Sequence, residues 1–166
     1  MVIGFVKKKV IEDEEVRVLG YVRANNIYST RTYVIGFLEV FGEIRSSELF
    51  VKGCIKARKI IANKIFLFSS SHSILLDVKG DFVLLKGKDG GKISVSTLRA
   101  KYAVLEWAYI HNIYADRAKV YSGVVFDRIK HIGELIVRDP YISIRLENIN
   151  NIGRFNLQYN IYRHTS

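Results

Sequence analysis

The chain contains four histidines, a residue type that binds metals and transfers protons near neutral pH. His72, His111, His131 and His164 form no His-Glu-x-x-His arrangement and no cluster with Cys54, the single cysteine. His111 and His131 are 20 residues apart and would meet on successive turns of a repeating fold, but a third ligand is not evident. We therefore expect surface or packing histidines, and predict no metal site and no cofactor.

The serines and carboxylates also lack the patterns that catalysis requires. No Gly-x-Ser-x-Gly sequence is present, and such an elbow is what exposes a nucleophilic serine in many hydrolases. The carboxylates from Glu12 to Glu15 sit in a run of charged residues, which is typical of a solvated loop. The chain is therefore predicted not to be an enzyme and to have no small-molecule substrate.

The stretch from Lys86 to Lys92 reads Lys-Gly-Lys-Asp-Gly-Gly-Lys and allows two interpretations. Its glycines and lysines would suit a phosphate cradle, but neither P-loop spacing nor a following helix start supports that function. An Asp-Gly pair between apolar alternations is typical of a β-hairpin. We predict a hairpin turn here.

A short phrase repeats along the chain and indicates how the side chains are held in space. In each copy an apolar residue is followed two positions later by Ala or Ser, and three positions after that by another apolar residue. The first copies begin two residues after Gly20, Gly42 and Gly53, at separations of 22 and 11, and later copies around Ala100 and Ala115 are 15 apart. A fixed period outranks other fold signals in a sequence.

The chemistry of the phrase favours strands. Residues two positions apart share one face of a strand, so Val22 and Ala24 would both point inward while Arg23 points to solvent. The small residue then marks a corner where the chain bends tightly over the core. Such a chain is an all-β parallel β-solenoid, with repeat corners at Gly20, Ala24, Gly42, Ser46, Gly53, Ala57, Ala100 and Ala115.

Two stretches also fit a helix, because apolar residues recur at spacings of three and four in Cys54–Phe68 and in Leu98–Ile113. Both stretches are rich in β-branched and aromatic residues and lack helix caps, which favours strands. We predict strands in both.

Composition limits the size and the location of the protein. The 166 residues, 49% of them hydrophobic, suit one domain that buries about 70% of its unfolded surface. No apolar run approaches the roughly 20 residues that span a bilayer, and the N-terminus lacks the layout of a signal peptide. A cytoplasmic protein is therefore expected. The net charge of +10 favours a polyanionic neighbour or simple solubility.

The pattern divides the chain into three segments. Residues 1–15 are predicted to form a tail and an exposed turn, residues 16–140 the solenoid, and residues 141–166 a C-terminal capping segment. The last segment alternates as a closing strand pair does, with apolar positions at Ile142, Ile144, Leu146, Phe155, Leu157, Tyr159 and Ile161. A cover is needed because an exposed end strand pairs with neighbouring chains.

Three copies of the phrase resemble the repeats of the bactofilins, which are polymer-forming cytoskeletal proteins; these copies are Gly20–Ile27, Gly42–Leu49 and Gly53–Ile60. The later segments Leu98–Leu105 and Ile113–Val120 are similar to repeats of archaeal relatives, so the similarity spans about Val18 to Val137. The resemblance implies a right-handed parallel β-helix of triangular cross-section that polymerises end to end without a nucleotide.

Bactofilins often carry a short apolar N-terminal peptide, followed by lysines, that holds the filament on a membrane. The resemblance therefore implies contact with an anionic membrane, at the inner face of the cell membrane, through Met1, Val2, Ile3, Phe5, Lys7, Lys8 and Lys9. The function it implies is a non-enzymatic structural scaffold whose partner is a second copy of itself.

The alternative expectation is a basic module that binds nucleic acid or another polyanion. It rests on the net charge of +10 and on tyrosines beside basic residues, which stack bases while the cations meet phosphates. These pairs are Tyr21 with Arg23, Tyr28 with Arg31, and Tyr162 with Arg163. A carbohydrate-active β-helix is a third option, and it would need a carboxylate cluster that the sequence does not display.

Overall fold

The computed structural model describes residues 1–88, 90–139 and 144–158, and most of these residues lie in strands. The elements, in chain order, are β1 (Val2–Ser69), β2 (Ser73–Gly87), β3 (Ile93–Glu106), β4 (Ala108–Val120), β5 (Val125–Val137), the 3-10 helix η1 (Leu146–Asn151) and β6 (Ile152–Leu157). The strands form one sheet in the order β1 to β6, and every neighbouring pair is parallel. The prediction of an all-β parallel solenoid is confirmed, and so are strands in the two stretches that also fit a helix.

The long strand β1 is itself wound into coils. Its 68 residues would extend for about 220 Å if they were straight, yet the Tyr21 ring stacks on both Phe5 and Phe37, each 16 residues away. The register between the later strands gives coils of 15 to 20 residues. The chain therefore returns to the same side of the solenoid at nearly constant intervals.

Each coil has three short faces that point into the core. In β4 the buried residues come in three pairs: Ala108 and Ile110, Ile113 and Ala115, and Ala118 and Val120. The members of a pair are two residues apart and successive pairs are three residues apart, so the chain turns a corner between pairs. The three-residue step that follows the small residue in the repeated phrase is such a corner.

The core consists of columns of apolar side chains that run along the solenoid axis. Val78, Leu98, Ile113 and Ile129 are consecutive register partners in β2 to β5, and each is almost fully buried. A buried side chain of this size contributes about 1.5–3 kcal/mol. Because every coil adds to the same columns, each coil is stabilised mainly by its two neighbours.

One corner of β1 is a column of glycines. Gly4, Gly20, Gly36 and Gly53 have φ values between +112° and +137°, and they are 16, 16 and 17 residues apart. A Cβ atom on Gly20, Gly36 or Gly53 would overlap the carbonyl oxygen of the preceding glycine in the column. Only glycine therefore lets successive coils stack at this corner.

The segment from Lys86 to Lys92 does not form the predicted hairpin. The flanking strands β2 and β3 pair in parallel, from Ser73↔Ile93 to Lys86↔Glu106, whereas a hairpin joins antiparallel strands. Parallel stacking lets both strands place their apolar residues in the same core columns. The hairpin prediction is wrong, and the extra residues are an insertion at a corner.

The C-terminal segment adds a strand and a short helix. β6 pairs in parallel with β5 from Ile132↔Ile152 to Val137↔Leu157. In η1 the buried Asn148 side chain accepts a hydrogen bond from the Ile129 N–H (3.1 Å) and donates one to the Asp127 carbonyl oxygen (3.2 Å). The helix thus covers backbone groups of β5 that β6 does not pair.

This arrangement differs from the strand pair that the sequence predicts, because the described part of the segment contains one strand and one helix. The predicted apolar positions Ile142, Tyr159 and Ile161 lie outside the described residues.

Replacing Gly36 with Ala should destabilise the protein by about 3 kcal/mol or more, because φ is +131° and a Cβ would overlap the Gly20 carbonyl oxygen. Gly90 is the matched control, since its φ is +82° but nothing lies within 4 Å of its Cβ position. Gly90→Ala should cost only about 1 kcal/mol. Urea unfolding measures both losses, and equal losses would contradict the close approach of coils at the glycine column.

Replacing Asn148 with Ala should loosen the C-terminal coil, because it leaves the Ile129 N–H and the Asp127 carbonyl oxygen without their partner. The expected loss is about 1–3 kcal/mol, with faster hydrogen exchange at the Ile129 amide. The control is Asn150→Ala, since Asn150 is exposed in the same helix. If both variants leave Ile129 equally protected, Asn148 does not hold the helix on β5.

Candidate assembly surface at the N-terminal coil

The first coil exposes large apolar side chains at the N-terminal end of the solenoid. Met1, Val2, Ile3 and Phe5 are exposed, Ile3 to 70% and Phe5 to 63%. The structure places Val2 to Glu15 within β1, where the sequence predicts a tail and an exposed turn. A strand holds these side chains in fixed positions, and exposed apolar patches of this kind mark contact surfaces.

The corner at Gly4 shows which side of the first coil is open. A Cβ atom added to Gly20, Gly36 or Gly53 would overlap the glycine one coil earlier. At Gly4 nothing lies within 4 Å of the position that a Cβ atom would take. Gly4 nevertheless has the left-handed φ of the column, +112°. The first coil therefore has the corner geometry of an internal coil, with its outer side uncovered.

A ladder of aromatic rings follows the solenoid axis beside this corner. The Phe5 and Tyr21 ring centroids are 4.9 Å apart, and those of Tyr21 and Phe37 are 5.1 Å apart, with nearly parallel planes in both pairs. The Lys56 ammonium lies 5.8 Å from the Phe37 centroid and ends the ladder on that side. On the N-terminal side the ladder ends at the exposed Phe5 ring.

The Tyr21 hydroxyl fixes the ladder to the neighbouring coil. It donates a 2.7 Å hydrogen bond to Glu39, whose carboxylate also lies 3.4 Å from Arg23. The hydrogen bond to Glu39 raises the pKa of Tyr21 above its ordinary value, and partial desolvation and the negative charge of Glu39 act in the same direction. Tyr21 therefore remains protonated, and a donor, over the physiological pH range.

Basic side chains gather in a groove on the flank of the same coils. Lys7, Lys8, Lys9 and Arg23 line a groove of about 490 Å³ together with Phe41, and the Arg23 guanidinium lies 4.9 Å from the Phe41 ring centroid. The predicted membrane-contact residues are therefore brought together, as an apolar end and an adjoining basic groove. Such a groove suits phosphate groups, including those of lipids.

The predicted corners in the first half of the chain occupy different positions in the coil. Gly20 and Gly53 belong to the glycine column, whereas Gly42 lies against the Asn26 side chain and does not have a positive φ. Ala24, Ser46 and Ala57 are buried, and each is followed three residues later by another buried apolar residue. The separations of 22 and 11 therefore mix corners of more than one type.

The two later corners coincide. Ala100 and Ala115 are register partners, in a column that continues through Gly80 to Ala62. This column forms the floor of a shallow groove of about 380 Å³ on the side of the solenoid. The 15-residue separation is thus a true coil length.

The three histidines in the described part of the chain do not assemble into a site. His131 is the register partner of Tyr114, three residues after His111, so the two histidines do not meet. His111 Nδ1 lies 2.6 Å from Asp127 Oδ2, and His72 Nε2 lies 2.9 Å from Ser94 Oγ. Residues 1–88, 90–139 and 144–158 contain no group of three His, Cys, Asp or Glu side chains that could hold a metal ion. His164 lies outside the described residues.

The tyrosines of the alternative function have varied surroundings. Both faces of Tyr21 are covered by Phe5 and Phe37, so its ring has no free face for a base. Tyr28 lines a groove with Arg58. Tyr162 and Arg163 lie outside the described residues.

Sequence reasoning missed Gly4, Gly36 and the aromatic ladder. The repeated phrase does not detect Gly36, because the position two residues after Leu38 is occupied by Val40 and not by Ala or Ser. The signal that identifies these positions is a spacing of 16, which separates Gly4 from Gly20 and Gly20 from Gly36, and likewise Phe5 from Tyr21 and Tyr21 from Phe37.

In the described part of the chain, no helix is long and apolar enough to cross a membrane. Comparisons of the chain with protein-family models, with curated proteins and with solved structures find no match. The similarity to the bactofilins accordingly rests on the repeated phrase and stays a prediction.

Proposed function

We propose that this chain is a non-enzymatic structural scaffold that self-associates end to end into filaments, in which the N-terminal coil of one copy stacks head to tail on the C-terminal coil of the next. The observation that carries the proposal is the uncovered corner at Gly4, which keeps the left-handed backbone of the glycine column although nothing lies within 4 Å of its Cβ position. In this proposal a coil from a second copy of the chain occupies that space.

Stacking a second chain here would combine two contributions. The outer edge of the first coil offers backbone groups for strand pairing, and burial of Met1, Val2, Ile3 and Phe5 would contribute several kcal/mol. Association must overcome at least about 4 kcal/mol of lost translational and rotational freedom. Assembly of this kind uses backbone pairing and apolar contact, so it requires no nucleotide.

The similarity of the repeats to those of the bactofilins supports the same function, since those proteins polymerise end to end. It also supports a location in the cytoplasm at the inner face of the cell membrane. The groove lined by Lys7, Lys8, Lys9 and Arg23 lies on the flank of the first coils, so in this proposal it contacts anionic lipid while the coil end contacts the next chain.

Replacing Ile3 with Glu should abolish assembly, because the substitution places a charge in the apolar end contact. Leu76→Glu is the matched control, since Leu76 is also an exposed apolar residue (46% exposed, against 70% for Ile3) but lies in β2, away from the coil end. Sedimentation velocity and electron microscopy should show elongated assemblies for the wild type and for Leu76→Glu, and monomers for Ile3→Glu. Wild-type protein that stays monomeric at high concentration, or assembly by Ile3→Glu, would contradict the proposal.

Replacing Lys7, Lys8 and Lys9 together with Gln should weaken binding to vesicles that contain phosphatidylserine. Each lysine near an anionic surface contributes about 1 kcal/mol, so the expected loss is about 100-fold. The control removes the same charge from exposed positions elsewhere, with Lys52, Lys64 and Lys130 replaced by Gln. Vesicle co-sedimentation measures the difference, and equal losses in the two triple variants would show that the basic groove is not the contact.

A further inference from the structure

The corner at Trp107 has a left-handed backbone at a residue that is not glycine, unlike the column of Gly20, Gly36 and Gly53. Trp107 has a φ of +50° and is the one non-glycine residue with a positive φ in the described part of the chain. It is also the single residue between β3 and β4, so the chain must bend sharply there. A bulky residue in the left-handed region is strained and persists only where its surroundings hold it. Strain of this kind is common at functional sites, so the corner is a candidate for one.

The neighbouring coils make room for the Trp107 side chain. A Cβ on Gly123 would lie 2.6 Å from Trp107 Cδ2, and a Cβ on Gly87 would lie 2.6 Å from Trp107 Cβ. The Trp107 N–H donates to the Ser122 carbonyl oxygen (2.9 Å), and its carbonyl oxygen accepts from the Ile93 N–H (3.2 Å). The indole is therefore held against the Gly123 backbone, and 48% of the residue surface remains exposed.

Positive charge lies on both sides of Trp107 along the solenoid axis. The insertion of the preceding coil carries Lys88 and Lys92. Arg138 lies at the same corner two coils later, where its backbone N–H donates to the Val120 carbonyl oxygen. At about 4.8 Å per coil, these backbone positions are about 5 Å and 10 Å from Trp107. Glu106, which precedes Trp107 in the chain, is paired with Lys86 at 3.0 Å.

We propose that this corner binds single-stranded nucleic acid, with a base stacked on the Trp107 indole and phosphates on the lysines and the arginine. An aromatic ring between cations is the arrangement that binds single strands without sequence preference. Tyr109, which is 44% exposed two residues further on, offers a second ring. A duplex would keep its bases stacked inside, out of reach of a ring on a convex corner.

An acidic protein segment is the competing occupant, because it would also satisfy the lysines. The observations favour a nucleic acid, since the most exposed group at the centre of the corner is a flat, rigid aromatic ring and the whole chain carries a net charge of +10. This site is on the side of the solenoid and is independent of the proposed stacking at the N-terminal coil.

The chain reports on this site directly, because Trp107 is the only tryptophan among its 166 residues. Titration with the oligonucleotide (dT)12 should quench the intrinsic tryptophan fluorescence, with an affinity that falls steeply as the salt concentration rises. A 12-base-pair duplex and poly-glutamate are titrated in parallel, and both should quench less. An unchanged emission with (dT)12, or equal quenching by poly-glutamate or the duplex, would overturn the proposal.

Two sets of variants locate the binding by anisotropy of labelled (dT)12. Trp107→Gly suits the left-handed backbone and should weaken binding about tenfold or more, whereas Trp107→Phe should retain most of it. Lys88→Gln with Lys92→Gln should reduce the slope of log affinity against log salt by about 1.4, while Lys52→Gln with Lys64→Gln should leave it unchanged. Wild-type binding by Trp107→Gly would show that the site lies elsewhere.

Ile3→Glu should bind (dT)12 normally, and Trp107→Gly should assemble normally, so each proposal fails on its own measurement.

Discussion

Parallel strand pairing holds each coil about 4.8 Å from the next, and the other features of the structure follow from that distance. At this spacing, equivalent residues of successive coils contact each other. Each column therefore has to consist of side chains that pack well against similar side chains at that distance. Aliphatic residues such as Leu98 and Ile113 do so in the core. Phe5, Tyr21 and Phe37 do so outside it, with ring separations of 4.9 and 5.1 Å. Where the backbone itself comes close, only glycine fits.

The two ends of the solenoid differ in how far their outermost coil is covered. At the C-terminal side, Asn148 in η1 bonds to backbone groups of β5 beside the strand pairing of β6. At the N-terminal side, the glycine column and the aromatic ladder both stop at a coil whose outer side is uncovered. An end that repeats the internal geometry is able to accept another coil, which is why the N-terminal coil forms one side of the proposed head-to-tail contact.

The repeated phrase was sufficient to predict the solenoid because it contains the corner itself, a small residue followed by a three-residue step. Ala115 and Ala118 show this step directly, since both are buried. The phrase was not sufficient to predict which corners stack, because Ala and Ser occur at more than one corner of a coil. Gly42 therefore entered the pattern although it is outside the glycine column, and Gly36 was missed.

The hairpin prediction failed for a related reason. An Asp-Gly turn between alternating strands is a local signal, and the choice between antiparallel and parallel pairing is made by the whole core. The N-terminal surface was only partly predictable. Its apolar and basic residues were found from the sequence, but their place in a coil depends on contacts that are 16 residues apart.

Faces and corners are under different constraints in such a fold. A face must stay in register with its neighbours, so insertion of a residue there would turn apolar side chains out of the core. A corner can vary: the connections after β1, β2 and β3 contain three, five and one residues, yet the following strands resume the same register. The basic insertion and the strained Trp107 lie at the same corner in successive coils. Chemistry that is specific to this chain can therefore be added at its corners and its ends without disturbing the core.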